Sequence, residues 1–126
     1  MLQAVLQHVT LEVRPDQVRD CVRFWELLGF TELEPPPLLR DRFTWVGRSD
    51  THIHLVPVDE PAVPTEGHTA VVADDAERTL ATLREQGFDP QLGSNAWDAP
   101  RWFVHDPAGH RVEVMSAPPP SVTLPR

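Results

Sequence analysis

Three histidines and one glutamate, His8, His54, His68 and Glu113, each stand in a short segment that reads as an extended strand, with apolar and polar residues alternating around all but His68. In an extended chain successive side chains point to opposite faces. Val9, Leu11 and Val13 therefore share one face, and His8, Thr10 and Glu12 the other. Within 51–57, Ile53 and Leu55 oppose His52 and His54; within 111–116, Val112 and Val114 oppose Glu113. His68 shares its face with the apolar Ala70 and Val72. Taken singly, any of these histidines reads as an ordinary core or surface residue. Together, imidazole nitrogens and a carboxylate suit one divalent ion: Zn²⁺, Fe²⁺, Ni²⁺, Co²⁺ or Mn²⁺. Four protein ligands close a tetrahedral zinc site but leave room for water or substrate on a five- or six-coordinate ion. An open, higher-coordinate ion is the expectation.

The elements that must position these residues come in two matching sets. Leu28-Gly29-Phe30 in the first half answers to Gln86-Gly87-Phe88 in the second. His8 lies 21 residues before Gly29, and His68 lies 19 before Gly87. His54 follows Gly29 by 25 residues, and Glu113 follows Gly87 by 26. In the first half, 5–13 reads as a strand, and 16–28 as a helix carrying Val18, Val22 and Trp25 at helical spacing. Short strands follow at 30–34, 43–47 and 51–57, with a turn at Arg48-Ser49-Asp50. In the second half, 68–73 reads as a strand. A helix follows, capped by Asp74 with Glu77 three residues on, and bearing Ala76, Leu80 and Leu83. Strands at 88–92, 101–106 and 111–116 follow, the last two separated by the turn sequence Asp106-Pro107-Ala108-Gly109. Three strands after each helix argue against a simple alternation of strand and helix.

The expected fold is α+β: two βαβββ modules forming a concave, half-barrel-like mixed sheet, with the polar strand positions turned towards its centre. The prolines set the boundaries of one domain over 1–126: module one at 5–57, a linker at 58–65, module two at 66–116 and a proline-rich tail at 117–126.

Composition narrows the partners. The chain has 126 residues, which suits one domain, and a formal net charge of −8 from 19 acidic and 11 basic residues. Such a surface repels nucleic acid and anionic membranes, which leaves a small molecule as the expected partner. Cys21 is the single cysteine, so no internal disulfide forms. It reads as a packing residue, and the chain as cytoplasmic. Phe24 and Trp25 read as core, while His105 and His110 flank a turn and stay outside the site.

The motifs, taken in order, are His8-Val9-Thr10-Leu11-Glu12-Val13, Phe24-Trp25, Leu27-Leu28-Gly29-Phe30, Ile53-His54-Leu55, His68, Phe103, and Asp106-Pro107-Ala108-Gly109-His110-Arg111-Val112-Glu113. This series resembles the vicinal oxygen chelate superfamily over residues 5–116. That superfamily includes glyoxalase I, methylmalonyl-CoA epimerase, fosfomycin-resistance thiol transferases, extradiol dioxygenases and bleomycin-binding proteins. The resemblance implies a glyoxalase-like fold, a homodimer, and metal ligands at His8, His54, His68 and Glu113. It implies a lyase or isomerase similar to lactoylglutathione lyase, in which two adjacent substrate oxygens bind the ion. Glu113 is then the first candidate base, with Glu12 and His52 as further acid/base groups. Trp45, Trp97, Arg101 and Trp102 would line the pocket mouth, Arg101 holding an acidic substrate group. Glyoxalase I usually has a carboxylate where this chain has His54. The alternatives within the superfamily are a drug-sequestering protein of the bleomycin-resistance type and an extradiol-type dioxygenase needing Fe²⁺ or Mn²⁺ and O₂. A cupin barrel, prompted by His52-Ile53-His54, is remote because of the two helical segments.

Overall fold

The computed structural model describes residues 2–126. Its elements run β1 (His8–Val13), α1 (Val18–Leu27), β2 (Thr31–Leu33), β3 (Thr44–Arg48), β4 (Thr51–Pro57), β5 (Thr69–Val72), α2 (Ala76–Glu85), β6 (Gln91–Leu92), β7 (Arg101–His105) and β8 (Arg111–Met115). This is strand, helix and three strands, twice over. They fall into two compact units, one reaching Thr65 and taking in Asp106–His110, the other holding Glu66–His105 and Arg111–Arg126.

In the first unit the sheet order is β1-β4-β3-β2. β1 runs parallel to β4, and the other two pairings are antiparallel. The parallel pair needs a crossover, which α1 and the β2–β3 hairpin supply. α1 opens after a tight turn at Pro15–Gln17, where proline presets the backbone. It buries Cys21, Val22, Phe24 and Trp25. The apolar strand face contributes Val13, Val46, Ile53 and Leu55, all at most 2% exposed. Trp25 meets Phe24 edge-on at 5.5 Å and Phe30 at 5.1 Å.

The second unit repeats the plan as β5-β8-β7-β6, with β5 parallel to β8. Leu80 and Leu83 of α2 and Val104, Val112 and Val114 of the strands form its core. Both helices stop the same way. Gly29 at φ 89° and Gly87 at φ 90° take a backbone conformation that a side chain disfavours. Their N–H groups bond to Glu26 O and Arg84 O, and those of Phe30 and Phe88 to Trp25 O and Leu83 O, all at 3.0 Å. This is the double closure that satisfies the last helical carbonyls.

Element ends differ from the sequence expectation in a few places. α2 starts at Ala76, so its cap is Asp75, whose carboxylate accepts from the Arg78 N–H at 3.1 Å. Glu77 then falls one position short of the place a reciprocal cap with Asp75 needs, which Arg78 occupies. β1 starts at His8 because its pairing with β4 starts at His52. β6 shrinks to two residues beyond Pro90, which has no N–H to give a ladder. Among the described residues no helix is long and apolar enough to cross a membrane.

Asp106–His110 is built as a closed turn within the first unit. Asp106 is 4% exposed. Its Oδ1 accepts from the Ala108 N–H at 2.9 Å and the His110 N–H at 2.8 Å. His110 Nε2 donates to Glu12 O at 2.7 Å, and Gln17 Nε2 to Pro107 O at 3.4 Å. Burial pushes the Asp106 carboxyl above the usual carboxylate range. Asp106→Ala strands two N–H groups and is expected to cost about 2–4 kcal/mol in a urea titration. Asp106→Asn keeps the accepting oxygen and should lose less than half as much. Equal losses would mean that the turn does not depend on Oδ1.

Cys21 lies in the same unit with 0% exposure, and burial, followed by the charge of Asp106, pushes its thiol up to about 12. It is a packing residue and not a nucleophile.

Candidate functional site

The polar face of the first sheet carries a column of rings. Thr10 and Trp45 flank His54 in register, and His8 and Gly47 flank His52 one row along. Trp45 stacks on His54 with ring centroids 4.0 Å apart and planes 5° from parallel. His8 stacks on His54 at 4.0 Å and 16°. His54 is thus sandwiched between an indole and an imidazole, and is 6% exposed. Burial, then the neighbouring His8 and His52, lowers its pKa to about 4. At neutral pH His54 is therefore an uncharged ring with a lone pair, the form in which histidine binds metal. His52 Nδ1 lies 3.2 Å from His54 Nε2. Gly47 makes room for that ring, since a Cβ there would stand 2.9 Å from His52 Cδ2. His8 Nδ1 lies 2.7 Å from Gln7 Oε1. Glu12 shares this face at the far end of β1. Its Oε1 accepts from the Ala62 N–H at 3.0 Å, tying down the segment after β4.

The second unit's polar face is built around Glu113. Ala70 and Phe103 flank it in register, as Thr10 and Trp45 flank His54. Glu113 is 5% exposed. Its Oε1 lies 3.0 Å from His68 Nε2, and its Oε2 accepts from Arg101 Nη1 at 3.3 Å. His68 Nδ1 lies 2.8 Å from Glu66 O. A carbonyl oxygen can only accept, so Nδ1 carries the proton. In a neutral ring, Nε2 then holds a lone pair beside a carboxylate oxygen. That arrangement calls for a cation between them or a proton on the ring. It is also the orientation of a ligating histidine, whose second nitrogen donates to a backbone carbonyl.

Arg101 is held on several sides. Nη2 donates to Ser94 Oγ at 2.9 Å and Nε to Ser94 O at 3.3 Å. The guanidinium sits 5.2 Å from the Trp97 ring and 5.1 Å from Phe103. Arg111 approaches Phe103 to 3.9 Å. Trp97 Nε1 in turn donates to Ala117 O at 3.3 Å. An open pocket of about 360 Å³ runs past 92–95 and 98–101, with Arg101 in its wall.

The four expected ligands thus come as two pairs, His8 with His54 in one unit and His68 with Glu113 in the other. Among the described residues no three or more His, Cys, Asp or Glu side chains are gathered to hold an ion. The donor chemistry within each pair suits a divalent ion: an uncharged His54, an oriented His68 and a buried carboxylate. Trp45 lies beside His54 and Arg101 beside Glu113, while Trp97 packs against Arg101. Trp102 is paired with Val114, on the opposite strand face from Glu113. Phe103 and Arg111 stood among the ordered motifs but were given no place in the site, and Ser94 was not singled out. Phe103 and Arg111 share the period-two face of Glu113, and that was the signal available for them. Nothing local marks Ser94.

Residues 5–114 match the Glyoxalase/Bleomycin resistance protein/Dioxygenase superfamily, and the chain belongs to that superfamily. Solved structures show the same fold at low identity. A protein described as of the glyoxalase family from Bacillus anthracis has 23% identity and a TM-score of 0.81, with 91% of this chain and 96% of that one covered. The fosfomycin resistance protein FosX from Mesorhizobium loti has 17% identity and a TM-score of 0.71, with 94% and 95% covered. TnmS3, an antibiotic-binding protein from Streptomyces sp. CB03234, has 23% identity and a TM-score of 0.69, with 91% and 97% covered. No curated protein matches the chain.

Proposed function

We propose that this protein is a metal-dependent lyase or isomerase of the superfamily, with His8, His54, His68 and Glu113 as ligands of one divalent ion. The observation that carries this reading is His68: its Nδ1 is committed to Glu66 O, and its Nε2 is aimed at the Glu113 carboxylate at 3.0 Å. When bound, the ion supplies Lewis-acid stabilisation of negative charge on two adjacent substrate oxygens.

The chain's own residues then divide the work. Trp45 and Trp97 offer apolar walls. Three groups were candidates for moving a proton. Glu12 Oε1 is engaged by the Ala62 N–H, and the two oxygens of Glu113 by His68 and Arg101. His52 has Nδ1 against His54, while Nε2 has no hydrogen-bond partner among the described residues. We assign the proton transfer to His52 Nε2, an unengaged ring nitrogen on the strand of the proposed ligand His54.

The test is metal analysis of the purified protein, followed by titration with Zn²⁺, Ni²⁺, Co²⁺, Mn²⁺ and Fe²⁺. The expected result is one ion per chain. A protein that is metal-free as isolated and ignores all five would overturn the enzyme reading. It would favour the second one, a ligand-sequestering protein like those of the bleomycin-resistance type. The Trp45–His54–His8 stack supports that alternative, because a flat aromatic column is a natural surface for a flat ligand. A homodimer is the assembly to expect in either case, and sedimentation analysis checks it.

A further inference from the structure

We infer that Arg101 is a positioning residue that holds Glu113 by Oε2, so that the carboxylate presents Oε1 alone as a donor. The sequence suggested a different role for Arg101, as the holder of an acidic substrate group. The geometry points inward instead. Three of its N–H groups are given to Ser94 O, Ser94 Oγ and Glu113 Oε2, and its plane lies against Trp97 and Phe103. Its side chain is 18% exposed. A guanidinium is a rigid planar fork, so anchoring two of its nitrogens to one residue fixes where the third points. Ser94 provides that anchor.

The register explains why the third points at Glu113. Phe103 pairs directly with Glu113 across the β7–β8 ladder, and Arg101 pairs with Met115. Arg101 is therefore the diagonal neighbour of Glu113 on the same face, within reach of a long side chain.

The consequence lies in the last torsion of Glu113. Rotation of a carboxylate about its terminal bond is broad, so nothing intrinsic fixes the plane of the group relative to His68. Arg101 fixes that plane by engaging one oxygen, Oε2, which leaves the other, Oε1, towards His68. A carboxylate held in this way binds an ion through one oxygen and leaves one more coordination position for substrate. Released, it can turn both oxygens to one side, the two-oxygen mode that larger oxygen-preferring ions accept. This part of the argument rests on the metal reading above; the hold of Arg101 on Glu113 does not.

The experiment compares wild type with Arg101→Met, Arg101→Lys and Ser94→Ala. Circular dichroism confirms that each variant folds. In the metal-free, ¹⁵N-histidine-labelled protein, Arg101→Met is expected to move the His68 Nε2 resonance. Arg101→Lys, which keeps a charge but not the fork, should restore less than half of the shift. Ser94→Ala should move the resonance the same way by a smaller amount, and it carries the test if Arg101→Met does not fold. Calorimetric titration then reads selectivity: the Mn²⁺ to Zn²⁺ affinity ratio should rise about tenfold in Arg101→Met. A merely structural role would weaken both ions by one common factor. An unmoved His68 resonance, or such a common factor, overturns the inference. If wild type binds neither ion, the metal reading fails by itself, and the His68 resonance alone decides the role of Arg101.

Discussion

Replacing Glu113 with alanine is expected to lower divalent-ion affinity by more than about 100-fold. Removing a residue that merely supports a ligand already costs roughly 10–100-fold, and Glu113 is the one carboxylate of the proposed set. It supplies the negative charge that three uncharged imidazoles lack. The loss should be read by equilibrium dialysis with elemental analysis, beside His68→Ala, for which a loss of similar size is expected. Glu113→Ala has a second effect that must be separated from the first. It deprives Arg101 of its partner at 3.3 Å in a half-buried position, and an unpaired charge there destabilises the unit. Glu113→Gln nearly preserves the volume and an accepting oxygen, but not the charge. It should therefore lose most of the affinity while keeping more of the stability. Wild-type affinity in both Glu113 variants would remove this residue from the ligand set, and with it the proposed chemistry.

Trp25→Ala is the substitution expected to damage the fold most, by about 3–5 kcal/mol. The ring is 0% exposed and is the largest of the fully buried side chains. It stands at the centre of an aromatic trio, edge-on to Phe24 and Phe30, so truncation removes transfer energy, leaves a cavity and breaks two ring contacts. Domains of this kind are stable by only about 5–15 kcal/mol, so the variant sits near the unfolding threshold. Trp25→Phe should cost far less. It retains an aromatic ring and removes an indole N–H that is buried without a hydrogen-bond partner. Urea midpoints at unchanged slope are the measure. A loss below about 1 kcal/mol in Trp25→Ala would show that the first unit's core repacks without this ring.

The duplicated order of elements, the strand faces and the helix stops were all legible in the letters, because each is a local property. Alternation along a strand follows from the pleat, so His54 opposite Ile53 and Glu113 opposite Val112 needed no partner strand to be read. Gly29 and Gly87 marked the helix ends because a positive φ disfavours a side chain. Element boundaries were less secure. The cap moved from Asp74 to Asp75, since both are acidic and the choice depends on where the helical hydrogen bonds begin.

The ordered motifs, the α+β class and the superfamily they resemble were thus determined by the sequence alone. Tertiary structure decided who touches whom. The pairing of Glu113 with both His68 and Arg101, the two rings around His54, and the bond from His110 to Glu12 O link residues distant along the chain. No periodicity encodes such contacts, because they depend on strand order, register and the direction in which a long side chain settles once its neighbours are in place. For the same reason the motifs could suggest Arg101 as a pocket residue but could not show that it also engages a buried carboxylate.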